Sequence, residues 1–248
     1  MKKLALLCLI LALPTLSYGA ITYDTAQTWE AEAGAGAGGN ITIGSGSNRI
    51  VFICRSIRDS SGAVAADTSA PTVGGSPATQ IGTGITNSGN VMRAELWYYL
   101  SPPSGSVAIA TTPAASTDRN LTAAIAYSGV AQTSTFNTPN TQQTVGTDMD
   151  TDSIASALTD LVVQCGVQRR GTAAITASPD GTSPISTERV DVAHTQTTSS
   201  SVTFYEEAGA ATSTDIRVDL SESVQWAAIG VAMRAAADAA TFGPLRRR

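Results

Sequence analysis

Lysine occurs only at positions 2 and 3 of the 248-residue chain, and the later cations are arginines and the single His194. Lysine is the usual guard of exposed sheet edges, so edges here must be protected by proline, glycine, bulges or another chain. The basic face that phosphate contacts demand is also missing. Removing Lys2 and Lys3 takes the formal charge from −5 to −7, so nucleic acid is not an expected partner. Beyond the N-terminus there is no long apolar run. The best stretch, Val224 to Ala237, is short and holds Gln225 and Arg234, and no membrane insertion is expected. Aromatic residues make up 5% and charged residues 14% of the chain, while Thr, Ser, Ala and Gly dominate; that balance goes with secreted β modules and surface fibres.

Chemistry-bearing residues are equally sparse. A nucleophile triad needs a histidine, yet His194 shares a strand face with Val190 and Val192, and no Gly-x-Ser-x-Gly elbow supplies its serine. One histidine and two separated cysteines fall short of a zinc-ligand spacing. Glycoside hydrolysis needs two carboxylates on one face. Glu95 is alone on its strand, and the adjacent Glu206 and Glu207 point to opposite faces. No catalytic residue is assigned and a non-enzymatic role is expected. Asp148, Asp150 and Asp152 in TDMDTDS are a calcium candidate, since that hard cation wants several carboxylates at alternating positions. The rest of a calcium loop is missing, with Ser153 at its glycine position and Thr159 at its glutamate position. The alternative is a solvated acidic turn. No other cofactor is expected.

What is present begins with a leader. Lys2 and Lys3, the apolar run Leu4 to Leu13, the breaker Pro14, and Ser17 and Gly19 before a cleavage point describe a signal peptide over 1–19. A mature chain starting at Ala20 follows, with a β domain over 20–237 and a loose tail over 238–248. The expected location is secreted, periplasmic or on the cell surface.

The mature chain is organised around Val91 to Thr112, VMRAELWYYLSPPSGSVAIATT. Period-two alternation puts Met92, Ala94, Leu96, Tyr98 and Leu100 on a core face. Pro102 and Pro103 end the strand, and Ser106 to Thr112 is expected to run back beside it as a hairpin. The second face carries Arg93, Glu95, Trp97 and Tyr99, the ring-plus-polar chemistry of a glycan-binding platform. Cover from loops 58–71 or 133–153 is the alternative. Cys54 shares a face with Ile50 and Phe52, and Cys165 with Val163 and Val167, so both should point inward. They form either a disulfide or two buried thiols. Ala31 to Gly39 is expected to be a flexible connector, 133–147 a loop with room for one edge strand, and Asp215 to Leu220 and Ser223 to Arg234 two closing strands. Arg119 to Ser128 is expected to be a strand with a small, flat outer face of Asn120, Thr122, Ala124 and Ala126. Eleven or twelve strands without a long amphipathic helix predict an all-β, two-sheet antiparallel sandwich.

The ordered runs NRIVFICRSI, PTVGGSPATQI, AELWYYLSPPSGSVAIATT, AAIAYSGVAQT, TDLVVQCGV and SVQWAAIGVAMR span nearly the whole mature chain. Together they resemble a poorly characterised β-sandwich module of secreted bacterial proteins and phage-associated sequences. The resemblance implies a jelly roll of the concanavalin-like or carbohydrate-binding-module type, and it implies no established activity and no catalytic residues. The expected function is that of an exported non-catalytic module that binds a glycan or cell-surface component, or builds a cell-surface appendage. A phage virion structural or host-attachment protein and a polysaccharide-active enzyme are the alternatives.

Overall fold

The alternation around Trp97 builds a strand, and what covers its two faces decides the architecture. A computed structural model describes residues 20–237 apart from 33–34, 60–63, 65–68, 90, 113–118, 170–176, 180–185 and 196–199. The expected leader over 1–19 and tail over 238–248 lie outside the described residues.

In chain order the strands are Thr22–Glu32 (β1), Gly39–Ile43 (β2), Ile50–Arg58 (β3), Thr72–Val73 (β4), Ser76–Pro77 (β5), Thr79–Gln80 (β6), Ile85–Thr86 (β7) and Met92–Leu100 (β8). Then follow Gly105–Ala110 (β9), Arg119–Ser128 (β10), Asn140–Ala155 (β11), Leu161–Arg169 (β12), Ala177–Pro179 (β13), Thr187–Ala193 (β14), Ser200–Ala208 (β15) and Ser213–Met233 (β16). The fold is all-β, with no helix among the described residues. Two six-stranded antiparallel sheets run in the orders β1-β10-β3-β8-β6, with β7 also on β8, and β11-β16-β12-β15-β14, with β13 also on β16. A four-stranded sheet, β2-β9-β4-β5, is the third.

The two large sheets enclose the main core. Met92, Ala94 and Leu96 are fully buried in it beside Phe52, Ile125, Val163, Phe204 and Ile229, and Tyr98 and Leu100 pack against its rim. The core face of β8 is therefore the one its alternation assigns. Cys54 and Cys165 meet as a disulfide across this core, with their Cα atoms 5.6 Å apart. The bond ties β3 of one sheet to β12 of the other.

The expected hairpin does not form. Both edges of β8 are occupied, by β3 on one side and by β6 and β7 on the other, so a returning strand has no ladder to join. Ser101 and Gly105 take positive φ angles of 51° and 93° around the two prolines, and β9 joins β2 and β4 in the third sheet instead. Val107 and Ile109 of β9, with Ile41 and Ile43 of β2, then close over Val51, Ile53, Trp97, Ala124 and Ala126. The flat face of β10, expected to look outward, is thus buried. Its small side chains leave room for a third layer to approach. The Ala31 to Gly39 stretch is not a free connector either. A Cβ on Gly36 would lie 1.8 Å from the Thr111 carbonyl oxygen, and one on Gly38 would lie 2.3 Å from that of Ile109. Only glycine lets this segment lie directly against the backbone beside β9.

A second departure lies in β11 and β16. The stretch expected as a loop with room for one edge strand, together with the acidic turn, belongs largely to one 16-residue edge strand, and the closing strands expected at 215–220 and 223–234 are one 21-residue strand. The pair forms a long ribbon with register shifts at Gly146/Asp148 and Thr151/Ile154. Its far half folds back over its own sheet. Gln164 Nε2 of β12 donates to Thr151 Oγ1 at 3.1 Å, and Ile154 occupies the space above Gly230, where a Cβ would sit 2.4 Å from its Cδ1. Met149, Ile154, Ile216 and Val218 of the ribbon pack on Val162, Tyr205 and Trp226 to form another buried cluster. Polar β11 owes its strand conformation to pairing with apolar β16, which local propensity does not reveal.

Candidate functional site

The Arg93, Glu95, Trp97 and Tyr99 face is not an open platform. Glu95 is 0% and Trp97 7% exposed, and Arg93 and Tyr99 are half-buried. The cover over Trp97 comes from the third sheet, with Ala70 of the 58–71 loop packed against the same cluster. Beneath it the polar groups pair with one another. Glu95 accepts from Arg93 Nε at 2.9 Å, from Trp97 Nε1 at 3.1 Å and from Arg55 Nη1 at 3.5 Å. The Glu95 carboxylate and the Trp97 N–H are thus spent inside the protein, because a charged group enters a protein interior only when its charge and hydrogen bonds are answered there.

Asp148, Asp150 and Asp152 do not lie on a loop. They alternate along β11, and the extended backbone spaces such carboxylates roughly 7 Å apart rather than wrapping them around an ion. Among the described residues no group of three His, Cys, Asp or Glu side chains is arranged to hold a metal. Asp148 stands opposite Asp219 and Asp150 opposite Arg217. Burial, then the charge of Asp152, with Asp148 adding and Arg217 opposing, raises the Asp150 pKa from 3.8 to about 6. A carboxyl with a raised folded-state pKa contributes stability that is present below its unfolded pKa and lost as pH rises through the folded one. Asp150→Asn should therefore unfold like the parent near pH 3 and be more stable above about pH 6. About 1 kcal/mol is expected after discounting the solvent-exposed part of the group. Urea titrations at the two pH values read the difference; a stabilisation that is equal at both would refute this origin.

The open side between the sheets is closed by side chains of β1 and β14. Arg189 is the extra residue of a bulge between Glu188 and Val190, and the bulge aims it inward. Its guanidinium lies 4.1 Å from the Tyr23 ring centre and pairs with Glu206, which also accepts the Tyr127 hydroxyl proton. Burial first, and then the Glu206 charge, push the Tyr127 hydroxyl well above its ordinary pKa. Farther along the same side, Glu30 accepts from the Thr195 N–H and hydroxyl, both at 2.9 Å, with His194 Nδ1 3.7 Å away. Burial pushes the Glu30 pKa up, but the two Thr195 bonds and His194 outweigh it and hold it low. His194 is a buried member of this seam. Glu206 and Glu207 do face opposite ways, Glu206 toward Tyr127 and Glu207 toward the Ser186 hydroxyl.

An open polar cleft lies at one end of the sandwich, where 131–137, 156–160 and the residues after β16 converge. Its volume is about 680 Å³. Arg234 Nη2 donates to Asn137 Oδ1 at 2.7 Å, and Asn137 Nδ2 reaches the Ala155 carbonyl at 2.8 Å and Asp160 Oδ2 at 3.4 Å. Asp160 Oδ2 also accepts from the Ala157 N–H at 2.9 Å, which fixes the 157–160 turn. Asn48 and Ser134, both lining the cleft, hold left-handed backbones with φ of 55° and 50°. Such conformations cluster at ligand sites. No family model, no curated protein and no solved structure matches this chain. The chemistry of the cleft follows from its walls: side-chain hydroxyls of Ser134 and Thr159, the exposed Arg234 guanidinium, fixed amides and small alanine methyls. That set suits a neutral or weakly anionic polyhydroxylated group. None of these residues is marked in the sequence. The only hints were an amide-rich stretch after Val130 and an arginine ending an apolar strand, and nothing local says that the two meet.

Proposed function

We propose that the chain is an exported, non-catalytic β-sandwich module of the jelly-roll kind, released from its 1–19 leader on secretion. It binds a glycan or another polyhydroxylated surface group. The binding site is the end cleft, not the buried Glu95 face. The single observation supporting this is the cleft itself, about 680 Å³ in volume and walled by hydrogen-bonding side chains on two left-handed backbone positions. A glycan array probed with residues 20–248 should show selective retention. Arg234→Ala and Ser134→Ala should each weaken it at least tenfold, while the melting temperature stays within a few degrees of the parent. Retention unchanged in both variants, or no retained glycan at all, would defeat this reading.

A further inference from the structure

Each of the two longest sheet edges other than β11 carries a guard. β1 has Asp24, Glu30 and Glu32 and a bulge after Tyr23, and Glu30 ties it to Thr195 beyond β14. β14 carries Glu188, Arg189 and Asp191 with its own bulge. The remaining edges are short, and β5 contains Pro77. β11 is different. Among the described residues it is the terminal strand of its sheet, and its first half, Asn140 to Thr147, reads NTQQTVGT without a charge or a proline. One face of this half looks to solvent, with Thr141 and Gln143 exposed and Val145 54% exposed; on the other Thr144 is exposed, while Asn140 and Gln142 are half-buried and donate to the Asp152 carbonyl and, at 3.2 Å, to its carboxylate. An uncharged edge strand with one face in solvent is a template for strand addition.

We infer that Asn140 to Thr147 of β11 is a self-association edge, on which a second copy of this chain adds its own β11 antiparallel across a two-fold axis. The segment is its own complement. Centred on Gln143, the pairing sets Gln143 against its symmetry mate, Gln142 against Thr144, Thr141 against Val145 and Asn140 against Gly146. Every position in the seam is uncharged, and the Asp152 carboxylate beside it is held by the Gln142 amide, so two acidic bodies meet along a strand that itself carries no charge. Pro139 ends the ladder on one side. On the other, the register shift between Gly146 and Asp148 breaks the regular edge. The result is one continuous sheet running through both copies.

Sedimentation of residues 20–248 should show a dimer that dissociates on dilution. Gln143→Lys places two ammonium groups face to face at the axis and should be monomeric with an unchanged melting temperature. Gln143→Glu should behave likewise. Mixing the two variants should restore dimers, because the axis then pairs opposite charges; recovery also shows that both variants are folded. A parent that stays monomeric at every concentration overturns the inference and leaves the edge to a foreign strand. Dimers that persist in Gln143→Lys, or a mixture that stays monomeric, overturn it as well.

Discussion

Replacing Cys54 and Cys165 together with alanine should lower the free energy of unfolding by about 4–5 kcal/mol. The two residues are 111 positions apart, so the bond removes a large amount of chain entropy from the unfolded state, and a closed loop of that size is worth about 4.7 kcal/mol in the entropic account. Both side chains are completely buried between β3 and β12, and the missing sulfurs add a small packing loss. For a chain of this length the melting temperature should fall by roughly 10–20 °C. Guanidinium titrations of the oxidised parent, the reduced parent and the double variant measure it. The reduced parent should lie close to the variant. A difference below about 1 kcal/mol would mean that the two sheets are held almost entirely by their apolar contacts.

Trp97→Ala should destabilise the protein as much as Leu96→Ala does, by about 3–5 kcal/mol against about 2–5 kcal/mol. The neighbours point to opposite faces of β8, and on an exposed platform the tryptophan would be the cheap one to lose. Here Leu96 fills the main core while Trp97 lies under Val107, Ile109 and Val73 of the third sheet. The variant also deprives the buried Glu95 carboxylate of the indole N–H, leaving the two arginines as its partners among those described above. Urea titrations of both variants give the comparison. If Trp97→Ala melts within a degree or two of the parent while Leu96→Ala falls sharply, the four-stranded sheet does not cover that face in solution.

The parity of β8, and of the strands holding Cys54 and Cys165, was legible because a period of two is set by the backbone itself and needs no knowledge of neighbours. Partnership was not legible. Pro102, Pro103 and Gly105 signal a reversal, and a reversal beside an alternating strand reads locally as a hairpin, although β8 already has neighbours on both edges. The same limit hid the third sheet, whose strands bring only short apolar pairs such as Ile41 with Ile43 and Val107 with Ile109. β11 was obscured for another reason: its Thr, Gln and Asp residues carry little apolar pattern, and its extended form depends on β16, some sixty residues farther along. The end cleft joins side chains as distant as Asn137 and Arg234, a meeting that only the folded topology brings about.

The position of β16 also bears on the order of events at the ribosome. It is the last of the described strands to be synthesised, yet it sits inside its sheet, with β11 on one side and β12 on the other. Until residues near 233 emerge, β11 has no partner strand and β12 has only β15. The inner wall facing Phe52 and Leu96 cannot be completed, and almost every pairing between long strands spans a distant stretch of sequence, which makes folding slow. The sandwich therefore cannot close until synthesis of its strands is finished, and an unclosed chain is the form in which the proposed export would pass it through a membrane pore.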